Sequence, residues 1–387
     1  MFVYTFASAV SVIFAYLSQH VRMPSSNLSE LPNYGGVKSQ ISKKQSRINN
    51  NISAELFFVL LSFLPLFLVS AVRYLVGTDY AGTYQYIYNY VYTDGYHFNL
   101  TGETLYALLN RIAIFYSGSD YVGVFALSSL LICGLTFIGL RNQSLNFSYS
   151  VLLWIISGFY FWSFNVVRQA IIMAIFVFAF QYIQKREAWK YFTCIIIAAG
   201  FHTMALLYLP VYFMYRLRIN FKVMLIILFV FAGFSSIIRQ LAYIITSKIP
   251  IFNVYAIRYF ESSRFDANTE SSISHLFINL AFFILFAIIV SIHDRKRKLS
   301  NIWINIQFIA LAFTMLSQVL PLANRISRLF EIVLILSIPS ITRLIPNKNL
   351  RLCVNVGIIF SFILYSFITF YVLRYHDVFP YQTIFSR

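Results

Sequence analysis

Arg73, Arg168 and Arg325 stand at or beside the ends of apolar runs long enough to cross a bilayer. Each carries a planar fork of N–H donors that stays charged in a protein. Three such groups meeting at one membrane face would suit a diphosphate better than a neutral sugar, and Arg328, one helical turn beyond Arg325, is a fourth candidate. A lone arginine at a span boundary more often snorkels to lipid headgroups or ends a helix, so the expectation rests on convergence. Arg168 is the hardest to dismiss, because it follows the short turn Phe164 to Val167 and opens a long apolar helix.

Tyr74, Gly77, Thr78, Asp79, Tyr80 and Tyr84 form a second cluster. Gly77 permits a tight turn, and Asp79 suits an arginine partner or a sugar hydroxyl. Tyr80 and Tyr84 offer faces on which pyranose rings stack, although tyrosine is equally the residue of the membrane interface. Asp79, Glu103 and His202 are the catalytic candidates. Either Glu103 or His202 fits a general base that takes a proton from an acceptor hydroxyl. The ordinary alternatives are a carboxylate at a helix start and a buried histidine bonded to a backbone carbonyl.

The elements that must position these residues are membrane helices. The chain is 59% hydrophobic, 19% aromatic and only 11% charged, against roughly a quarter charged in a soluble domain. Apolar windows such as Ala54 to Val72, Tyr121 to Leu140, Ile273 to Ile292, Ile302 to Leu320 and Leu352 to Leu373 approach the roughly 20 residues that span hydrocarbon. They are continuous rather than alternating, which implies helices and not a barrel. The expected fold is all-α, a polytopic integral membrane protein forming one domain over 1–387.

The net charge of +17 does not indicate nucleic acid, because the basic residues lie in short loops between spans. Placing those loops on the cytoplasmic side puts most of the 30 Lys and Arg there. The inside segments are then 19–53 and the loops holding Arg141, Lys185 to Lys190, Arg216 to Lys222, Arg295 to Lys298 and Arg343 to Arg351. Outside lie the longer loops 73–120 and 246–272. Alternation holds except at Tyr191 to Tyr215, where a single crossing would place Arg216, Arg218 and Lys222 on the wrong side. A re-entrant hairpin broken near Gly200 and His202 restores it. About ten spans plus this hairpin are expected.

Cys133, Cys194 and Cys353 fall in apolar segments and suggest packing rather than disulfides or a thiolate metal site. The chain has no HExxH, P-loop, GxSxG elbow or carboxylate cluster with metal spacing, so neither a metal nor any other cofactor is expected. Energy for a transfer would have to reside in the substrate.

The order of the motifs resembles the EpsG-like branch of the Wzy polysaccharide polymerases: RYLVGTDY from Arg73, GETLYALLN around Glu103, SFNVVRQAI through Arg168, AAGFHTMALLYLP through His202, NRISRLFEIVLILSIP through Arg325, and the tail FPYQTIF. The resemblance implies a GT-C-like protein of the bacterial cytoplasmic membrane with an extracytoplasmic active site. It implies a metal-independent glycosyltransferase that joins undecaprenyl-diphosphate-linked repeat units, moving the growing chain to the non-reducing end of a new unit. A chain-length regulator and a repeat-unit flippase would be its partners, beside membrane lipid. Arg73, Asp79, Glu103, Arg168, His202 and Arg325 match the family's polar marks. Two other readings remain. An O-antigen ligase usually has a larger late outer loop than 246–272, and a transporter or flippase of lipid-linked sugar would show related halves, which are absent from this sequence.

Overall fold

A computed structural model describes residues 1–21, 38–93, 103–248, 260, 273–294 and 301–386, with backbone alone at 38–51, 273 and 274. Residues 22–37 of the loop expected at 19–53, most of 246–272, and the basic run Arg295 to Lys298 lie outside these residues. The later half of the first loop is already helical, since α2 runs Lys38–Ala71. All regular structure among the described residues is helical, as composition required.

Among the described residues six helices are long and apolar enough to cross a membrane: α1 (Phe2–Val21), the apolar part of α2 (Ile52–Ala71), α5 (Val122–Gln143), α8 (Val167–Gln184), α13 (Ile273–His293, counted from His275), and the C-terminal stretch Lys348–Val372. A seventh results if α11 (Phe221–Gly233) and α12 (Ser235–Lys248), bent by 80°, count as one. The expectation of about ten exceeds this because several apolar runs are not single straight helices. The run from Phe147 divides at Gly158 into α6 (Phe147–Ile156) and α7 (Phe159–Trp162). The region from Asn301 divides into α14 (Asn301–Leu316), α15 (Ala323–Glu331) and α16 (Leu334–Thr342). Hydropathy measures whether a run can be buried, not whether it is unbroken.

The break expected near Gly200 is present. Helix α9 (Ala188–Phe201) ends before His202, and a 3-10 turn Thr203–Tyr208 and α10 (Val211–Met214) follow. The chain then doubles back on itself. The Tyr191 hydroxyl donates to the Tyr208 carbonyl at 2.6 Å, the rings of Tyr191 and Tyr212 lie 5.6 Å apart, and the Arg186 guanidinium sits 3.7 Å over the Tyr215 ring. The basic segments before and after the hairpin are therefore neighbours. Asn301 and Asn305 hold the returning limb through their side-chain amides, which donate to the carbonyls of Met214 and Leu217. Such bonds satisfy backbone groups that a broken helix leaves open.

The chain forms two compact units. The first comprises Met1–Gln181, Thr193–Thr203 and Gly357–Arg387; the second comprises Tyr182–Phe192 and Met204–Val356. In the first, α1 lies along α2 with Ala7, Ser11 and Ala15 buried, and the Ser62 hydroxyl donates to the Ser11 carbonyl at 2.7 Å. Small residues of this kind let membrane helices approach closely. Helix α8 is 78% buried along its span, which makes it the core helix and places Arg168 on its first turn. In the second unit, α13, α14 and α15 enclose a set of buried polar side chains.

Candidate active site

Three helix ends build the centre of the first unit. Glu103 occupies the N-cap of α4 (Thr104–Ser117), yet its side chain makes no capping hydrogen bond. Its carboxylate turns instead to Arg168 and His202: Oε2 accepts from Arg168 Nη1, and Oε1 lies 3.3 Å from His202 Nδ1. The ordinary role of a helix-start carboxylate is thus not the one Glu103 takes. Burial raises the Glu103 carboxyl above its usual range, and the Arg168 charge opposes that rise.

The approach of α4 and α9 depends on a glycine. A Cβ on Gly200 would fall 2.7 Å from Leu105 Cγ and Cδ1, so only a hydrogen fits there. Gly200 precedes His202 by the same two residues that separate Leu105 from Glu103, and the contact therefore sets the gap between the two polar groups. Gly200→Val should cost about 1–3 kcal/mol by overpacking. Thermal unfolding of the purified protein should report the loss, and Leu105→Ala in the same chain should restore most of it. An unshifted unfolding midpoint in the single variant would show that the helices can separate freely.

Tyr84, expected to meet a sugar, is buried beside Arg168. Burial pushes its hydroxyl up to about 12, with the Arg168 charge pulling the other way. Its ring meets Tyr106 edge-on at 6.0 Å, and Tyr106 lies 5.9 Å beneath the Arg168 guanidinium. Tyr80 is also enclosed, stacked on Phe125 at 4.1 Å with its hydroxyl donating to the Arg73 carbonyl. Further along, Tyr86, Tyr90 and Tyr92 turn outward.

Arg73 faces inward at 1% exposure. Its Nη1 donates to the Ser70 carbonyl and hydroxyl, and its guanidinium lies 4.7 Å from the Phe125 ring and 4.8 Å from the Phe164 ring. Its backbone pairs with the C-terminal tail: Tyr74 N–H donates to Gln382 O and Ile384 N–H to Val72 O, each at 3.0 Å. Asp79, at the head of the π-helical turn Tyr80–Gln85, is partly exposed.

Asn165, absent from the sequence candidates, ties these parts together. Its Oδ1 accepts from Thr78 Oγ1 at 2.8 Å and from the Asp79 N–H at 3.3 Å, and its Nδ2 donates to the His376 carbonyl at 3.2 Å. Gly77, at φ +107°, passes so close that a Cβ would lie 3.0 Å from Asn165 Oδ1. The one signal available in the sequence was its place in the short turn that delivers Arg168.

Arg325 and Arg328 belong to the second unit, on the polar face of α15. Arg328 Nη1 lies 3.4 Å from Glu331 Oε2, and Glu331 is itself buried against His275 on α13. Glu331 and His275 were also missed, although a carboxylate inside the apolar stretch LFEIVLIL is costly enough to signal a purpose.

The first unit thus holds a histidine and an arginine on one carboxylate, and the second holds Arg328 backed by another. Comparison with curated proteins and with solved structures finds no match. Comparison with protein families matches residues 56–383, a stretch that takes in all of these residues, to the EpsG family. On that match the chain belongs to the EpsG family, the family of Wzy-type polysaccharide polymerases, whose members are membrane enzymes of glycosyltransferase-like character.

Proposed function

We propose that this protein joins undecaprenyl-diphosphate-linked oligosaccharide repeat units at the outer face of the bacterial cytoplasmic membrane, transferring the growing chain to the non-reducing end of a new unit. The observation that carries this reading is the Glu103 carboxylate shared by Arg168 and His202. In the reaction an acceptor hydroxyl oxygen attacks the anomeric carbon of the donor chain. The bond from that carbon to the diphosphate oxygen breaks, and the diphosphate leaves with the electron pair. The hydroxyl proton passes to a base.

The geometry favours His202 as that base, between the two candidates. A carboxylate at Nδ1 keeps the proton on that nitrogen and leaves Nε2 as the basic one, the division of labour seen wherever a carboxylate orients a catalytic imidazole. Glu103 is then the positioning residue, and the same carboxylate steadies Arg168. The Arg168 guanidinium stabilises charge on the departing diphosphate, a preorganised contribution that tends to be the largest in such transfers. Arg325 and Arg328 are assigned phosphate contacts in the second unit, while the Arg73 carbonyl and the Asn165 side chain hold the loop bearing Asp79 and Tyr84. Asp79 is assigned a hydrogen bond to a sugar hydroxyl.

Charge stabilisation in this scheme comes from guanidinium groups, so transfer by purified protein should persist in EDTA. Loss of activity restored by a divalent cation would assign that stabilisation to a metal instead. The reading as a whole is tested by mass analysis of lipid-linked saccharides from cells lacking the protein. Accumulated single repeat units are expected. Long chains never passed to a lipid core would identify a ligase, and units confined to the cytoplasmic leaflet a flippase.

A further inference from the structure

Glu331 is 3% exposed, and its two oxygens have different surroundings. Oε1 lies 2.5 Å from Ser327 Oγ, 2.6 Å from His275 Nε2 and 2.8 Å from Asn279 Nδ2. Oε2 faces Arg328 Nη1 at 3.4 Å. The donors around Oε1 are themselves held: Gln307 Nε2 donates to Asn279 Oδ1 at 3.1 Å, and Thr314 Oγ1 lies 2.6 Å from Ser327 Oγ. Three helices therefore fix the plane of one carboxylate, and its second oxygen is directed at a guanidinium whose side chain is 16% exposed.

Burying a carboxylate and a histidine among apolar helices is expensive, and well-packed apolar residues would hold the helices together at least as firmly. An arginine that merely snorkelled to headgroups would need no such support. We infer that Glu331, buttressed by His275 and Asn279, is a positioning residue that aims the Arg328 guanidinium at a phosphate of the lipid-linked substrate. The inference rests on the reading of Arg328 as a phosphate contact given above. Arg328 keeps its charge and its fork of donors, while Glu331 removes the rotamer freedom that would otherwise have to be lost when the phosphate binds.

The test uses the full-length protein in proteoliposomes and, as substrate, the undecaprenyl-diphosphate-linked unit extracted from cells lacking the protein. Kinetics are compared for Glu331→Gln, Arg328→Gln and the double variant. Glu331→Gln is expected to raise KM about tenfold with a much smaller change in kcat, and to add nothing in the Arg328→Gln background. Equal losses in both backgrounds, or unchanged kinetics in Glu331→Gln, would overturn the inference. If Glu331→Gln does not accumulate in membranes, Asn279→Ala takes its place: a KM rise that vanishes without Arg328 supports positioning, and one that persists refutes it. Failure of the polymerase reading looks different, since cells lacking the protein would then not accumulate single repeat units. Wild-type kinetics in Arg328→Gln beside an inactive Arg168→Lys would sink the present inference alone.

Discussion

Arg168→Lys is expected to abolish chain extension while the protein remains inserted in the membrane. Lysine keeps the charge but presents it as a point, and cannot both hold the Glu103 carboxylate and fork onto a diphosphate. Loss of one preorganised donor at a developing charge costs about 10²- to 10³-fold in kcat. The Tyr84 hydroxyl, placed against the guanidinium, would lose its partner as well. The measurement is polymer length on gels together with the amount of protein in the membrane fraction. Normal-length polymer from Arg168→Lys would remove the leaving-group role.

His202→Ala should reduce turnover by about 10²- to 10⁴-fold, the range set by loss of a general base. Glu103→Gln should do comparable damage by releasing the imidazole, and the double variant should lose far less than the product of the two single losses, the remainder being what Arg168 loses with its carboxylate. Were Glu103 itself the base, His202→Ala would retain most activity and Glu103→Gln would not. The pH profile provides an independent check. The pair requires ionised Glu103, whose pKa is raised in the folded protein chiefly by burial. Activity is therefore present above that raised value and lost as pH falls through it, at a higher pH than an exposed carboxylate would give. The inflection that belongs to Glu103 should be absent from Glu103→Gln, leaving only the acid limb set by protonation of the base itself.

The residues of the first centre were legible in the sequence because polar groups inside or beside apolar runs are rare and costly. Their partnership was not. Nothing in the spacing of Glu103, Arg168 and His202 says that one carboxylate serves both others, since the contact depends on Gly200 letting α9 reach Leu105. Arg73 carries the same sequence signature as Arg168, yet its guanidinium lies between two phenylalanine rings. Only the fold distinguishes a part-exposed arginine paired with a carboxylate from one packed against aromatic rings in the core. The hairpin at His202 was anticipated because loop charge is a constraint on the whole chain and not on one segment. The number of straight spans was harder to read, because a side-chain amide such as Asn301 can stabilise a broken helix without altering the hydropathy of the run.

Both chain termini contribute to the loop that carries Asp79. The Tyr4 hydroxyl on α1 donates to the Val378 carbonyl, Asn165 donates to His376, and the tail pairs with the backbone around Arg73. These are contacts of very large sequence separation, and none can form before residues 376 to 384 have been made. The loop that carries Asp79 is therefore closed only after residues 376 to 384 have joined it, whereas the contacts among Glu103, Arg168 and His202 need nothing made later than His202 itself.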